Sequence, residues 1–316
     1  MPAGWPRLSG LAWVLIGVVA LAAAGAGALA VSCDGDEPGA VAKPADAGLI
    51  AYVGVQGDNF DIYVIAPDGS GKQRLTDDPG EDLFPDWSPD GSMLAFASDR
   101  SGDFDIFLMR PDGSGLRRLT YEPSRETDPA WSPDGRLIAF RSDREGENAV
   151  YVMDLRSGEI TRVTPAGLRV LQTNVSWSPD GRRLAFAAEP DDDLAVYTIA
   201  VDGSGMRRVT GSPRRQGLLD PAWSPDGRWI AYVSLRDGDF ELYTVGVSGE
   251  GHRRLTNRPG PDTSPAWSPD GARIVFVSNR DGPRDLYTMA ADGADVLRVT
   301  AGEGALQPAW GTRATR

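Results

Sequence analysis

One cysteine, one histidine and a shortage of positive charge set the first limits on this 316-residue chain. With Cys33 as the lone cysteine, no internal disulfide can form. A single histidine, His252, cannot supply a histidine-rich metal site. Without a Gly-x-Ser-x-Gly elbow it also leaves a Ser-His-Asp triad unsupported. Lysine and arginine total 32 against 45 aspartate and glutamate, a net charge of −13, the opposite of a phosphate-binding surface. The balance argues against nucleic acid as a partner, and the acidity reads as serving solubility or as matching a cationic partner. Helical periodicity is missing as well: no stretch sustains apolar residues at i, i+3, i+4 and i+7.

What the chain does have is repetition. Trp-Ser-Pro-Asp-Gly occurs five times, at Trp87, Trp131, Trp177, Trp223 and Trp267, spaced 44, 46, 46 and 44 residues apart. A period of that size marks a repeat architecture whose units bury their apolar faces only against one another. Within the repeat from Trp131 the apolar runs LIAF, VYVM and TRVT are short and rich in β-branched and aromatic residues, and Gly, Asp, Ser and Pro separate them. Each repeat reads as four short strands, the first ending at the tryptophan. Runs that are apolar on both faces belong to sheets sandwiched between neighbours. The expectation is an all-β propeller.

Two further columns test the blade count. The third strand carries Tyr63, Phe107, Tyr151, Tyr197, Tyr243 and Tyr287, and the fourth ends at Thr76, Thr120, Thr164, Thr210, Thr256 and Thr300. The missing sixth first strand lies at the other end of the chain, where Gln307-Pro308-Ala309-Trp310 matches Asp220-Pro221-Ala222-Trp223 and Gly311 ends the motif. Six four-stranded blades follow, with units 49–76 plus 306–311, 83–120, 127–164, 173–210, 219–256 and 263–300 within a propeller of 49–311 and a tail of 312–316. Closure by the C-terminal strand removes the open sheet edges.

WSPDG, an apolar strand, Ser-Asp-Arg, an aromatic strand and an Asp-Gly turn together resemble the PD40, or WD40-like, repeat of the TolB family over about five-sixths of the chain. The Trp-Asp signature of true WD40 repeats is absent. TolB proteins carry an N-terminal α/β domain before a six-bladed propeller, and the residues before Leu49 leave no room for one, so the resemblance is to the propeller alone. It implies a non-catalytic module that binds a protein partner at the channel mouth.

Residues 1–33 read as a signal peptide or membrane anchor: Leu8 to Val31 holds no charge and follows Arg7. Three fates compete. Leu29-Ala30-Val31-Ser32-Cys33 resembles a bacterial lipobox, with Cys33 as the lipidation site. The run is also long enough to span a bilayer uncleaved, and Ala28-Leu29-Ala30 would suit ordinary cleavage. All three export the propeller, the last as a released soluble protein. The expectation is a monomeric propeller at the outer side of a bacterial cytoplasmic membrane or cell envelope, anchored by the N-terminal segment or a lipid on Cys33. Residues 34–48 have the composition of a flexible linker.

The WSPDG segments and the turns at Asp68-Gly69, Asp112-Gly113, Asp202-Gly203 and Asp292-Gly293 are expected to be structural, with Trp packing the seams between blades. In Ser98-Asp99-Arg100 and Ser142-Asp143-Arg144 the adjacent Asp and Arg are expected to pair and hold their loop. The run Asp191-Asp192-Asp193 reads as a solvated loop. His252 stands where Leu116 and Met206 stand in sister repeats, a peripheral place. Three residues before each column tryptophan lie Phe84, Asp128, Asn174, Asp220, Ser264 and Gln307; five before lie Asp82, Glu126, Gln172, Leu218, Asp262 and Ala305. Because the first strand of a blade lines the channel, Asp82, Glu126, Asp128, Asn174, Asp220 and Asp262 are expected to form an acidic and amide ring at one mouth. Such oxygen ligands suit Ca²⁺ or a cationic peptide group, or they serve only to bond the backbone and channel water. Two other readings stand beside a protein-binding scaffold: a carbohydrate- or metal-dependent enzyme using channel carboxylates, and a regulatory ectodomain.

Overall fold

A computed structural model describes residues 48–171, 174–190, 194–210, 218–302 and 304–312. The leader with Cys33, the linker up to residue 47, Gln172 and Asp191 to Asp193 lie outside the described residues. The described residues form six four-stranded antiparallel sheets, one per blade. Blade three shows the pattern: inner strand Glu126–Trp131, second strand Leu137–Ser142, third strand Ala149–Asp154 and outer strand Ile160–Arg162. The second and third strands are buried almost throughout, as their uninterrupted apolar runs require. Blade one is assembled from both ends of the propeller. Its inner strand Leu306–Gly311 pairs with Leu49–Gln56, Ile50 opposite Trp310 and Ala51 opposite Ala309. The closure expected from the sequence is present.

Each repeated motif has a mechanical reason. In WSPDG the serine Oγ donates to the aspartate two residues on, at 2.6 Å in all five copies, and accepts the backbone N–H that starts the next strand. The glycine closes the turn at φ between 68° and 73°, a region an L side chain rarely adopts. Outer strands run only two or three residues, shorter than expected, because the threonine that follows leaves the ladder. Its Oγ1 accepts the N–H of the third strand in every blade, at 2.9–3.0 Å, so that strand keeps a partner where the outer strand ends. Aromatic residues on the second and third strands stack in pairs, from Tyr52 on Tyr63 to Phe276 on Tyr287, with ring centroids 5.6–6.3 Å apart.

The ring closes where the motif breaks. Other copies place serine after the tryptophan; here it is Gly311, and a Cβ there would stand 2.2 Å from Cγ of the Trp87 ring. Gly311→Ala is expected to force the blade-one to blade-two seam apart and cost about 1–3 kcal/mol. Thermal denaturation followed by circular dichroism checks this, and an unchanged melting temperature would show that the seam does not depend on that contact.

Candidate functional site

The inner strands carry a bulge that sets the channel wall. Residues two and three before the tryptophan together oppose one residue of the second strand, as between Leu83 and Asp86, Thr127 and Ala130, Leu219 and Ala222, and Thr263 and Ala266. The residue three before the tryptophan takes a left-handed conformation at Phe84, Asp128, Asp220, Ser264 and Gln307, with φ between 48° and 55°. Proline follows each of them, tolerated because the inner strand is a sheet edge. Blade four departs. It has Val175 in place of proline, its Asn174 is not left-handed, and its inner strand is reduced to Ser176–Trp177.

The single ring expected at the channel mouth separates into two layers. Asp82, Glu126 and Asp262, five before the tryptophan, are fully buried and do not line the channel cavity. Each accepts a hydrogen bond from the arginine of its own blade's Ser-Asp-Arg loop: Arg100 to Asp82 at 2.7 Å, Arg144 to Glu126 at 2.8 Å and Arg280 to Asp262 at 2.7 Å. This also corrects the pairing expected inside Ser-Asp-Arg. Asp99 and Asp143 instead accept backbone N–H groups of Glu81 and Arg125, at 2.7 and 2.8 Å. The reason is register. The acid sits directly across the ladder from the serine that starts the loop, so the arginine folds back onto it while lying over both stacked rings.

The layer three before the tryptophan does reach the channel. Phe84, Asp128, Asn174 and Gln307 line a cavity of about 460 Å³, together with all six column tryptophans and the prolines beside them. The tryptophans therefore serve both seam and wall; Nε1 of Trp177 donates to Ala130 O of the preceding blade, and Nε1 of Trp267 to Ala222 O. Asp220 and Ser264 face each other across a seam, the Ser264 hydroxyl donating at 3.2 Å. Burial pushes the Asp220 carboxyl up to about 6. Asp128 is 2% exposed, and its Oδ2 is held by Arg141 Nε at 2.9 Å and by the Thr127 hydroxyl at 2.7 Å, while Oδ1 has no partner.

One wall residue was missed by sequence reasoning. Asp86, directly before Trp87, lines the cavity where the other blades carry Ala130, Ser176, Ala222, Ala266 and Ala309. Its Oδ2 accepts the N–H of Trp131 in the next blade at 2.7 Å, and desolvation among tryptophan and proline raises its carboxyl to about 7. The signal was present as one acid in a column otherwise of small residues. His252 lies away from this wall, on blade five, where its Nδ1 meets the Tyr232 hydroxyl at 2.8 Å. Among the described residues no three His, Cys, Asp or Glu side chains gather to hold a metal ion.

Known proteins match this arrangement. The family profile of the TolB beta propeller domain, PD40, matches residues 45–212, 171–249 and 215–315. The structure of TolB from Acinetobacter baumannii superposes with a TM-score of 0.74 at 21% identity, covering 83% of this chain and 66% of that one. This chain thus spans just under two thirds of that protein's length. A putative TolB from Agrobacterium tumefaciens gives 0.66 at 24% identity, covering 86% and 92%. An oligogalacturonate lyase in complex with manganese gives 0.55 at 16% identity, covering 84% and 75%. No curated protein sequence matches the chain. These likenesses share the fold, and the profile covers all six blades: the chain belongs to the TolB beta propeller domain family.

Proposed function

We propose that the protein is an exported, membrane-tethered and non-catalytic scaffold of the cell envelope, receiving a cationic segment of a protein partner in its channel. The observation that carries this is the composition of the wall. Where the repeats stop agreeing, Asp86 and Asp128 face a cavity framed by tryptophan and proline, with Asp220 in the adjoining seam. Aromatic faces and carboxylates together suit an ammonium or guanidinium group. Asp82, Glu126, Asp262 and Asp128 contribute less charge, because an arginine of the same blade already matches each of them.

The test replaces Asp86 and Asp220 by asparagine, which removes charge and keeps an acceptor for Trp131 N–H and the Ser264 hydroxyl. Affinity capture from membranes with the wild-type chain is expected to recover a partner that Asp86→Asn/Asp220→Asn fails to recover, without a lower melting temperature in the variant. Equal recovery by both would refute the channel as the binding site.

A further inference from the structure

Four blades carry the same arginine after the second strand: Arg100, Arg144, Arg236 and Arg280. Each lies over the stacked aromatic pair of its blade, and each takes its Nε and backbone N–H to the same serine hydroxyl. In three blades a buried carboxylate completes the arrangement. Blade five alone changes two positions at once. The acid is replaced by Leu218, whose backbone still stands directly across the ladder from Ser234, as Asp82, Glu126 and Asp262 stand across from their serines. The second-strand Phe of the other three becomes Tyr232, and Arg236 Nη2 donates to its hydroxyl at 2.7 Å.

A phenol hydroxyl satisfies a hydrogen bond but not a charge. Of the carboxylates nearest in sequence, Asp237 and Glu241 are engaged by Arg254, at 3.3 and 2.7 Å, and Asp239 accepts the backbone N–H groups of Phe240 and Gly260. Among the described residues no carboxylate lies within ion-pair distance of Arg236. Tyr232 is fully buried and the arginine half-buried, so the guanidinium is fixed before anything binds. We infer that Arg236 is the anchor of a carboxylate-binding site on blade five, completed by an acidic side chain of a protein partner that supplies the charge the sister blades carry themselves. The site lies outside the channel and stands whether or not the channel binds anything.

The lone histidine makes the test clean. The Tyr232 hydroxyl accepts from Arg236, so its own proton goes to His252 Nδ1, placing the imidazole one hydroxyl away from the guanidinium. Burial, and then the Arg236 charge, hold the His252 pKa below the ordinary range. A bound carboxylate offsets that charge and must raise the midpoint. The full chain, purified without a polyhistidine tag, gives one imidazole signal by NMR. Its midpoint is expected to be about 0.3–0.5 of a pH unit higher in sodium formate than in sodium chloride of equal ionic strength. Arg236→Gln is expected to raise the midpoint in chloride and abolish the difference between salts. Leu218→Asp, which restores the sister arrangement, is expected to do the same by filling the site from within. Identical midpoints in formate and chloride for the wild type would overturn the inference, as would a formate shift that survives Arg236→Gln.

Discussion

Arg141→Val is expected to destabilise the propeller by about 3–5 kcal/mol, while Arg141→Val/Asp128→Asn recovers most of that loss. Arg141 is 1% exposed and occupies a second-strand position held by Ala97, Ala187, Val233 and Val277 in other blades. Its Nε meets Asp128, its Nη1 meets Asn148 at 2.8 Å and its Nη2 meets the Thr127 hydroxyl at 2.5 Å. Valine fits this sheet, as the sister blades show, so the cost comes from what is abandoned: a carboxylate with one hydroxyl donor and one oxygen already without a partner. Removing the charge as well removes that cost. Asparagine is chosen because residue 128 has φ 55°, which Asn tolerates better than most residues. Thermal and urea unfolding of the single and double variants measure the difference, expected as a fall of the order of 10 °C for the single variant. Equal losses in both would place the cost in packing instead. The pair also shows why replacing Asp128 is a poor test of binding: any lost interaction would be confounded with lost stability.

Blade number and closure were legible in the sequence because they depend on residues that recur. Six aromatic third strands against five WSPDG copies left one inner strand to find, and Trp310 supplied it. The expected threonine column proved mechanical in all six blades. Side-chain partners across strands were less legible. Arg100 stands beside Asp99 in sequence and pairs with Asp82, because ladder register brings a residue eighteen positions away closer than the neighbour, whose side chain turns back to a backbone N–H. The two acid columns looked equivalent for the same reason. They are separated by the bulge, which leaves Asp82 and Asp262 inside the blade and carries Asp128 to the wall. Proline two residues before five of the six column tryptophans was the available sign of that bulge. Asp86 was less legible because its column otherwise holds four alanines and one serine, which show no polar pattern.

Asp86→Asn is expected to stabilise the protein at about pH 8 by roughly 2–4 kcal/mol and to leave stability unchanged near pH 4. The carboxyl sits near 7 in the folded chain against a reference of 3.8, so between those values the folded state holds a proton that the unfolded state has released. Stability from this group is therefore present at low pH and lost as pH rises toward and through 7. Asparagine keeps an oxygen for the Trp131 N–H and never acquires the desolvated charge. Other acids titrate in both directions, Asp220 upward and the turn aspartates such as Asp134 downward, so the informative quantity is the difference between variant and wild type. Urea unfolding of both proteins at several pH values measures it; a difference that does not grow with pH would show that Asp86 does not hold the proton. The same titration sets the charge of the channel. Below about 7 the wall residue is neutral, above it a carboxylate faces the cavity, and a cationic partner segment should be captured better at about pH 8 than at about pH 6. Asp86→Asn should show a smaller difference, the remainder coming from Asp220, whose carboxyl sits at about 6. One substitution thus links the stability of the propeller to its proposed recognition: the desolvated charge that weakens the fold is the charge that would attract the partner.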